Sequence, residues 1–151
     1  MIRLSKSTDY ALMALSDLAV LPPGRTLSAR HLAEHHRLPP ELAAKVLQGL
    51  KRSGIVKTRR GIYGGYRLAR PAEEIGVTEV IESVEGPLAL VECVLDDPGC
   101  SLVSTCSVRT PLHRIHERLL GALSDLTLAH VVADAGLSSR PLDGPQLPVL
   151  Q

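Results

Sequence analysis

A short helix, a tight turn and a second helix are followed at once by a glycine-rich hairpin, and later by a helix with a narrow apolar seam. These features predict a mainly α chain with a small β wing: a winged helix-turn-helix plus a long C-terminal dimerisation helix.

Each element has a local cause. Ser5 or Ser7 can cap a first helix, with Thr8 and Asp9 in its opening turn. Ala11, Leu12, Leu15, Leu18 and Ala19 then recur at helical spacing, and Pro22-Pro23-Gly24 ends the run. Ser28 caps a short helix through Leu32 and Ala33 to about His35, and His36-Arg37-Leu38 reads as a turn. Pro39 and Pro40 suit the start of the next helix, Pro40 to Ser53, where a missing amide donor costs nothing. Its apolar face is Leu42, Ala43, Val46, Leu47 and Leu50; Lys51 and Arg52 meet its negative dipole end, and Gly54 stops it.

The period then changes to two. Ile55 to Arg59 reads as a strand, Arg60-Gly61-Ile62-Tyr63-Gly64-Gly65 as a loop, and Tyr66-Arg67-Leu68 as the return strand. Pro71 marks a boundary, and Thr78 can cap a helix carrying Val80, Ile81 and Val84 that Gly86-Pro87 terminates. Leu88 to Arg109 has weak periodicity, with a turn signal at Asp96-Asp97-Pro98-Gly99. Thr110-Pro111 opens a long helix on which Leu112, Ile115, Leu119, Ala122 and Leu126 step by three and four. A seam that narrow is expected to pack on a second copy of itself. The predicted organisation is a DNA-binding region (1–70), a linker helix and cysteine loop (71–109), a dimerisation helix (110–133) and a disordered tail (134–151).

Composition restricts the function. Apolar residues form 44% of the chain, and with three Tyr, no Trp and no Phe the core must come from Leu, Val, Ile and Ala. No apolar run approaches the ~20 residues of a membrane span, and the N-terminus lacks the apolar stretch of a signal peptide. A cytoplasmic protein with reduced thiols is expected. The net charge is only +1, but residues 1–70 carry thirteen Lys/Arg against four Asp/Glu (net +9), and residues 71–151 four against twelve (net −8). A basic half of this kind points to a polyanion.

For double-stranded DNA, a major groove accepts the helix Pro40 to Ser53, whose polar side offers Glu41, Lys45, Gln48 and Arg52. Lys45, Lys51 and Arg52 suit phosphates, and Glu41 or Gln48 suits base edges. Arg59 and Arg60 in the hairpin suit a narrow minor groove. Tyr66 is expected to pack in the core beneath the hairpin. His31, His35 and His36 read as surface residues without the acid partners of a metal site.

Three stretches carry a resemblance: Leu4-Ser5-Lys6-Ser7-Thr8-Asp9-Tyr10-Ala11, Arg60-Gly61-Ile62-Tyr63-Gly64-Gly65-Tyr66-Arg67-Leu68 and Glu82-Ser83-Val84-Glu85-Gly86-Pro87. Over about residues 1 to 131 the chain resembles the IscR/NsrR-type family of bacterial transcription regulators, most of all those described as regulators of SUF-type iron–sulfur cluster assembly. The resemblance implies a homodimer on a near-palindromic operator and an iron–sulfur cluster, [2Fe–2S] or [4Fe–4S], in the loop before the long helix. The cysteines are Cys93, Cys100 and Cys106, spaced x6 and x5. Thiolates are the usual ligands of such clusters, which commonly take four. Some relatives place a His three residues after the third Cys, where this chain has Arg109; in the NsrR-like branch an early Asp of the partner subunit completes the set, which implies Asp9 here. His113 and His116 are the other candidates.

Read without the resemblance, Asp9 is an acid at a helix N-terminus, and the cysteines are free thiols or a zinc site completed by a His. Three other functions stand beside the cluster sensor. They are a cluster-free regulator that senses thiol oxidation or a small molecule, a cluster-carrying scaffold, and a thiol redox enzyme. The last wants a low-pKa Cys with a base or resolving partner, and no CxxC is present, so an enzyme is not expected.

Overall fold

The computed structural model describes residues 4–94, 100–102 and 104–137. Within them the order is α1 (Lys6–Ala19), α2 (Ala29–His36), α3 (Pro40–Arg52), β1 (Val56–Arg59), β2 (Gly65–Leu68), α4 (Val77–Glu85), α5 (Arg109–Ser124) and α6 (Leu128–Asp134). Single 3-10 turns lie at Ala72–Glu74 and Glu92–Val94.

The caps follow the sequence. Ser5 caps α1, its side chain accepting from the Thr8 N–H, and Ser28 caps α2 by accepting from the His31 N–H at 3.1 Å. α2 ends because Arg37 adopts the left-handed region at φ 54°, and the Leu38 N–H closes back on the Ala33 carbonyl at 2.8 Å. Pro39 and Pro40 then start α3 in a new direction. Gly54, at φ 74°, releases the chain from α3 into β1. The strands pair antiparallel, from Val56 opposite Leu68 to Arg59 opposite Gly65.

α1 is the axis of the core. Its Ala11 and Leu15 are fully buried, and it packs against α3, α4 and α6. Leu32 of α2, Leu47 and Leu50 of α3, Ile55, Ile75, Val80 of α4 and Leu128 of α6 complete one apolar cluster. Tyr66 packs half-buried against this cluster.

Several predicted boundaries change. α4 is capped from Gly76, so Thr78 lies inside the helix rather than before it. The helix expected over 110–133 is two helices. α5 stops at Ser124, and Thr127 with His130 forms a reciprocal cap for α6. The reason is tertiary: the Val77 N–H donates to the Leu126 carbonyl at 2.9 Å and the Leu128 N–H to the Ile75 carbonyl at 2.8 Å, pinning the break to the segment before α4. Leu126 therefore leaves the seam, and Leu128 and Val132 enter the core. The start of the segment expected as a disordered tail is ordered: Asp134 is the last residue of α6, and Leu137 packs on the core. The remainder of the tail, 138–151, and the turn at Asp96-Asp97-Pro98-Gly99 lie outside the described residues.

Candidate nucleic-acid interface and cysteine loop

The two faces of α3 separate by chemistry. Ala43, Val46, Leu47 and Leu50 are buried, while Glu41, Lys45, Gln48, Lys51 and Arg52 are exposed. Spacings of four, three and four from Glu41 through Lys45 and Gln48 to Arg52 put those four on one side of the helix. Arg59 and Arg60 are exposed where β1 leaves the sheet. All seven side chains expected to meet DNA are thus presented to solvent on the turn-adjacent helix and the wing.

The wing is anchored to the rest of the domain through the start of its return strand and its loop end. Leu27 and Tyr66 exchange two backbone hydrogen bonds, at 3.0 and 2.7 Å, adding a bridge to the hairpin. Gly65 lies so close to this contact that a Cβ would stand 2.6 Å from the Leu27 carbonyl oxygen. Thr26 Oγ1 donates to the Tyr63 carbonyl at 2.8 Å, and Arg59 donates to the Gly24 carbonyl at 3.4 Å. Ile62 at the tip is 97% exposed.

At the other end of α1, Glu85 of α4 accepts from the Ser5 N–H at 2.8 Å and from Thr8 Oγ1. Hydrogen bonding to Ser5 first, then Thr8, holds its carboxyl below the usual glutamate value. Asp9, the next residue of α1, is exposed. Glu85 ties the helix that carries Asp9 to the helix that leads into the cysteine loop. In the sequence Glu85 stands only within a motif; its hydroxyl partner is 77 residues away and leaves no local signal.

Cys93, Cys100 and Cys106 are free thiols, all half-buried, in the segment between α4 and α5. Cys93 sits in the 3-10 turn and Cys106 lies three residues before α5. His113 of α5 donates from Nε2 to the Cys93 carbonyl at 3.1 Å. One turn on, His116 Nδ1 is buried with no hydrogen-bond partner among the described residues. Arg109 opens α5 as an exposed cation. The donor set of three thiols in one segment fits an iron–sulfur cluster, because thiolates are the ligands its irons take. A single zinc ion fits less well. It needs three ligand atoms gathered around one centre, and among the described residues only Asp17, His35 and His36 bring three such atoms within 4.8 Å of one another.

That triad corrects the sequence reading of His35 and His36 as lacking an acid partner. Asp17 is 3% exposed, and its Oδ2 accepts from His35 Nδ1 at 3.1 Å and from His36 Nε2 at 2.6 Å. Only the fold of α1 against the end of α2 joins residues 18 and 19 positions apart.

α5 differs from the other helices in having no buried residue. It packs on α4 and the 3-10 turn before it, leaving Ile115 52% exposed. None of the described helices is long and apolar enough to cross a membrane.

A helix-turn-helix with a basic exposed second helix, flanked by an arginine-bearing wing, defines a DNA-binding transcription regulator of the winged-helix class. Residues 4–134 match the Rrf2 family, described as iron-dependent transcriptional regulators. The chain is 35% identical over 147 residues to the HTH-type transcriptional repressor NsrR of Streptomyces coelicolor, covering 93% of this chain and 99% of that protein. Among solved structures it is similar to CymR (YrzC), the global cysteine regulator of B. subtilis, with TM-score 0.72 and 25% identity over 89% of this chain and 98% of that one. It also shares the fold of IscR from T. potens, with TM-score 0.69 and 24% identity over 93% of each chain. The chain belongs to the Rrf2 family of transcriptional regulators, of the IscR/NsrR type, and is not an enzyme.

Proposed function

We propose that this protein is a cytoplasmic, homodimeric repressor that reads a near-palindromic operator and responds to iron–sulfur cluster status, with cluster-assembly genes as its targets. The observation that carries the reading is the pairing of α5, which has no fully buried residue, with a segment of three free, half-buried thiols before it. The 16-residue α5 leaves Ile115 exposed on the seam with Leu112 and Leu119, which suits a self-complementary contact across a two-fold axis. A dimer so formed would present two α3 helices to half-sites, with Lys45, Lys51, Arg52, Arg59 and Arg60 on phosphate or the minor groove and Glu41 or Gln48 on base edges.

Cys93, Cys100 and Cys106 would hold the cluster, with Asp9 of the partner subunit as the fourth ligand; His113 and His116 are the alternatives. His113 already uses Nε2 on the Cys93 carbonyl, whereas His116 Nδ1 has no such engagement. When bound, the cluster would supply a labile group whose loss or gain reports cluster supply, oxidants or nitric oxide. The chain's own part is mechanical. Asp9 rides on α1, which is the axis of the DNA-binding core, and Glu85 fastens the same end of α1 to α4. Ligation across the interface would favour one placement of the two α3 helices only through its differential affinity for that placement.

The test is an anaerobic absorbance spectrum with iron and acid-labile sulfide assays, followed by operator binding of wild type and Cys93→Ala. Matching iron and sulfide, with operator affinity that changes on cluster loss in wild type and not in the variant, is the expected result. Equal operator affinity in all cluster states would overturn the switch. A second reading, a cluster-free sensor of thiol oxidation or a small molecule, rests on the likeness to CymR, described as a cysteine regulator. Protein that stays colourless after anaerobic reconstitution would select it.

A further inference from the structure

We infer that Asp17, His35 and His36 form a second metal site, separate from the cysteine loop, that takes one first-row divalent transition ion and clamps the helix-turn-helix. Three observations meet there. The first is the donor set. Two imidazoles and a carboxylate are borderline ligands that suit Zn²⁺, Co²⁺ or Fe²⁺ rather than Mg²⁺ or Ca²⁺, and all three ligand atoms lie within 4.8 Å of one another.

The second is the spacing. Zinc bonds of about 2.0–2.2 Å set neighbouring ligand atoms of a tetrahedron about 3.3 Å apart. The Asp17 Oδ2–His35 Nδ1 distance is already 3.1 Å, and the Oδ2–His36 Nε2 distance, 2.6 Å, needs only a small side-chain adjustment. Consecutive helix residues ordinarily diverge. These two converge because His35 offers its near nitrogen and His36 its far one. Binding would replace the two hydrogen bonds with bonds to the ion, His35 then carrying its proton on Nε2 and His36 on Nδ1.

The third is the setting. Asp17 is buried, and His35 and His36 are its only ion-pair partners among the described residues. They are the last two residues of α2, where the unpaired carbonyls and helix dipole favour positive charge. His36 is half-buried and His35 exposed, so the site has two sheltered ligands and one side open to a water ligand. An ion there would bolt α1 to the turn at Arg37 that aims α3.

The test uses the full-length chain with Cys93, Cys100 and Cys106 changed to Ser, so that thiols cannot compete. Zn²⁺ is titrated by calorimetry into this parent and into the same protein carrying His35→Gln, His36→Gln or Asp17→Asn. One equivalent should bind the parent. A single His change should weaken it by more than about 100-fold, beyond the range for loss of an outer-shell partner. Zinc at a hundredfold excess over Kd should raise the parent's unfolding midpoint by about 5–10 °C. His35 is exposed, so His35→Gln keeps its fold and decides the matter if Asp17→Asn unfolds. No stoichiometric binding to the parent, or unchanged binding to His35→Gln and His36→Gln, would overturn the site.

Discussion

Gly65→Ala is the sharpest probe of how the wing is held. The added Cβ would lie 2.6 Å from the Leu27 carbonyl oxygen, 2.8 Å from its carbon and 3.1 Å from Thr26 Oγ1. Two of these atoms are backbone, so a side-chain rotation cannot relieve the clash. The strand must move away from Leu27, which strains or breaks the two hydrogen bonds between Leu27 and Tyr66. Overpacking of this kind costs about 1–3 kcal/mol and each lost hydrogen bond about 1 kcal/mol, so the variant should lose about 2–4 kcal/mol. For a chain of this length that lowers Tm by about 5–15 °C. Displacing this end of the sheet also moves Arg59, which pairs with Gly65, and Arg60 beside it. Circular dichroism melting and fluorescence anisotropy on operator DNA would read both effects. A variant with wild-type Tm and wild-type affinity would refute the anchoring argument.

Other changes have different signs. Gly49→Ala in α3 meets no atom within 4 Å, so it should raise stability by about 0.5–1 kcal/mol, measured by urea unfolding. Ser28→Ala removes the acceptor for the His31 N–H and should cost about 1 kcal/mol, visible as a lower Tm. Arg59→Ala with Arg60→Ala should flatten the dependence of log affinity on log salt by about 2 per wing if both meet phosphate, measured by anisotropy across salt concentrations. Glu85 has a depressed carboxyl pKa in the folded protein, so its contribution is present above the ordinary glutamate value and is lost as pH falls through the lower folded value. The Tm gap between cluster-free wild type and Glu85→Gln should therefore be full near neutral pH and close below about pH 4.3.

The local signals of this chain carry its elements. Ser5, Ser28, Pro40 and Gly54 mark starts and stops because caps and terminators act within a few residues. The periodicity of Leu42, Val46, Leu47 and Leu50 by itself separates the core side of α3 from its basic side, because helical geometry fixes which residues share a face. The switch to period two after Gly54 locates the wing, and the charge split between residues 1–70 and 71–151 points that half toward a polyanion.

What needed the tertiary structure was every contact between distant segments. The apolar pattern runs through Leu126, and only the pairing of Leu126 and Leu128 with residues 75 and 77 divides the long helix in two. Glu85 meets Ser5 and Thr8, and Asp17 meets His35 and His36, across separations at which sequence carries no periodic signal. Hydrogen bonds and metal ligation are set by distances of a few ångströms in space. Chain proximity determines those distances inside a helix or turn, and packing determines them everywhere else.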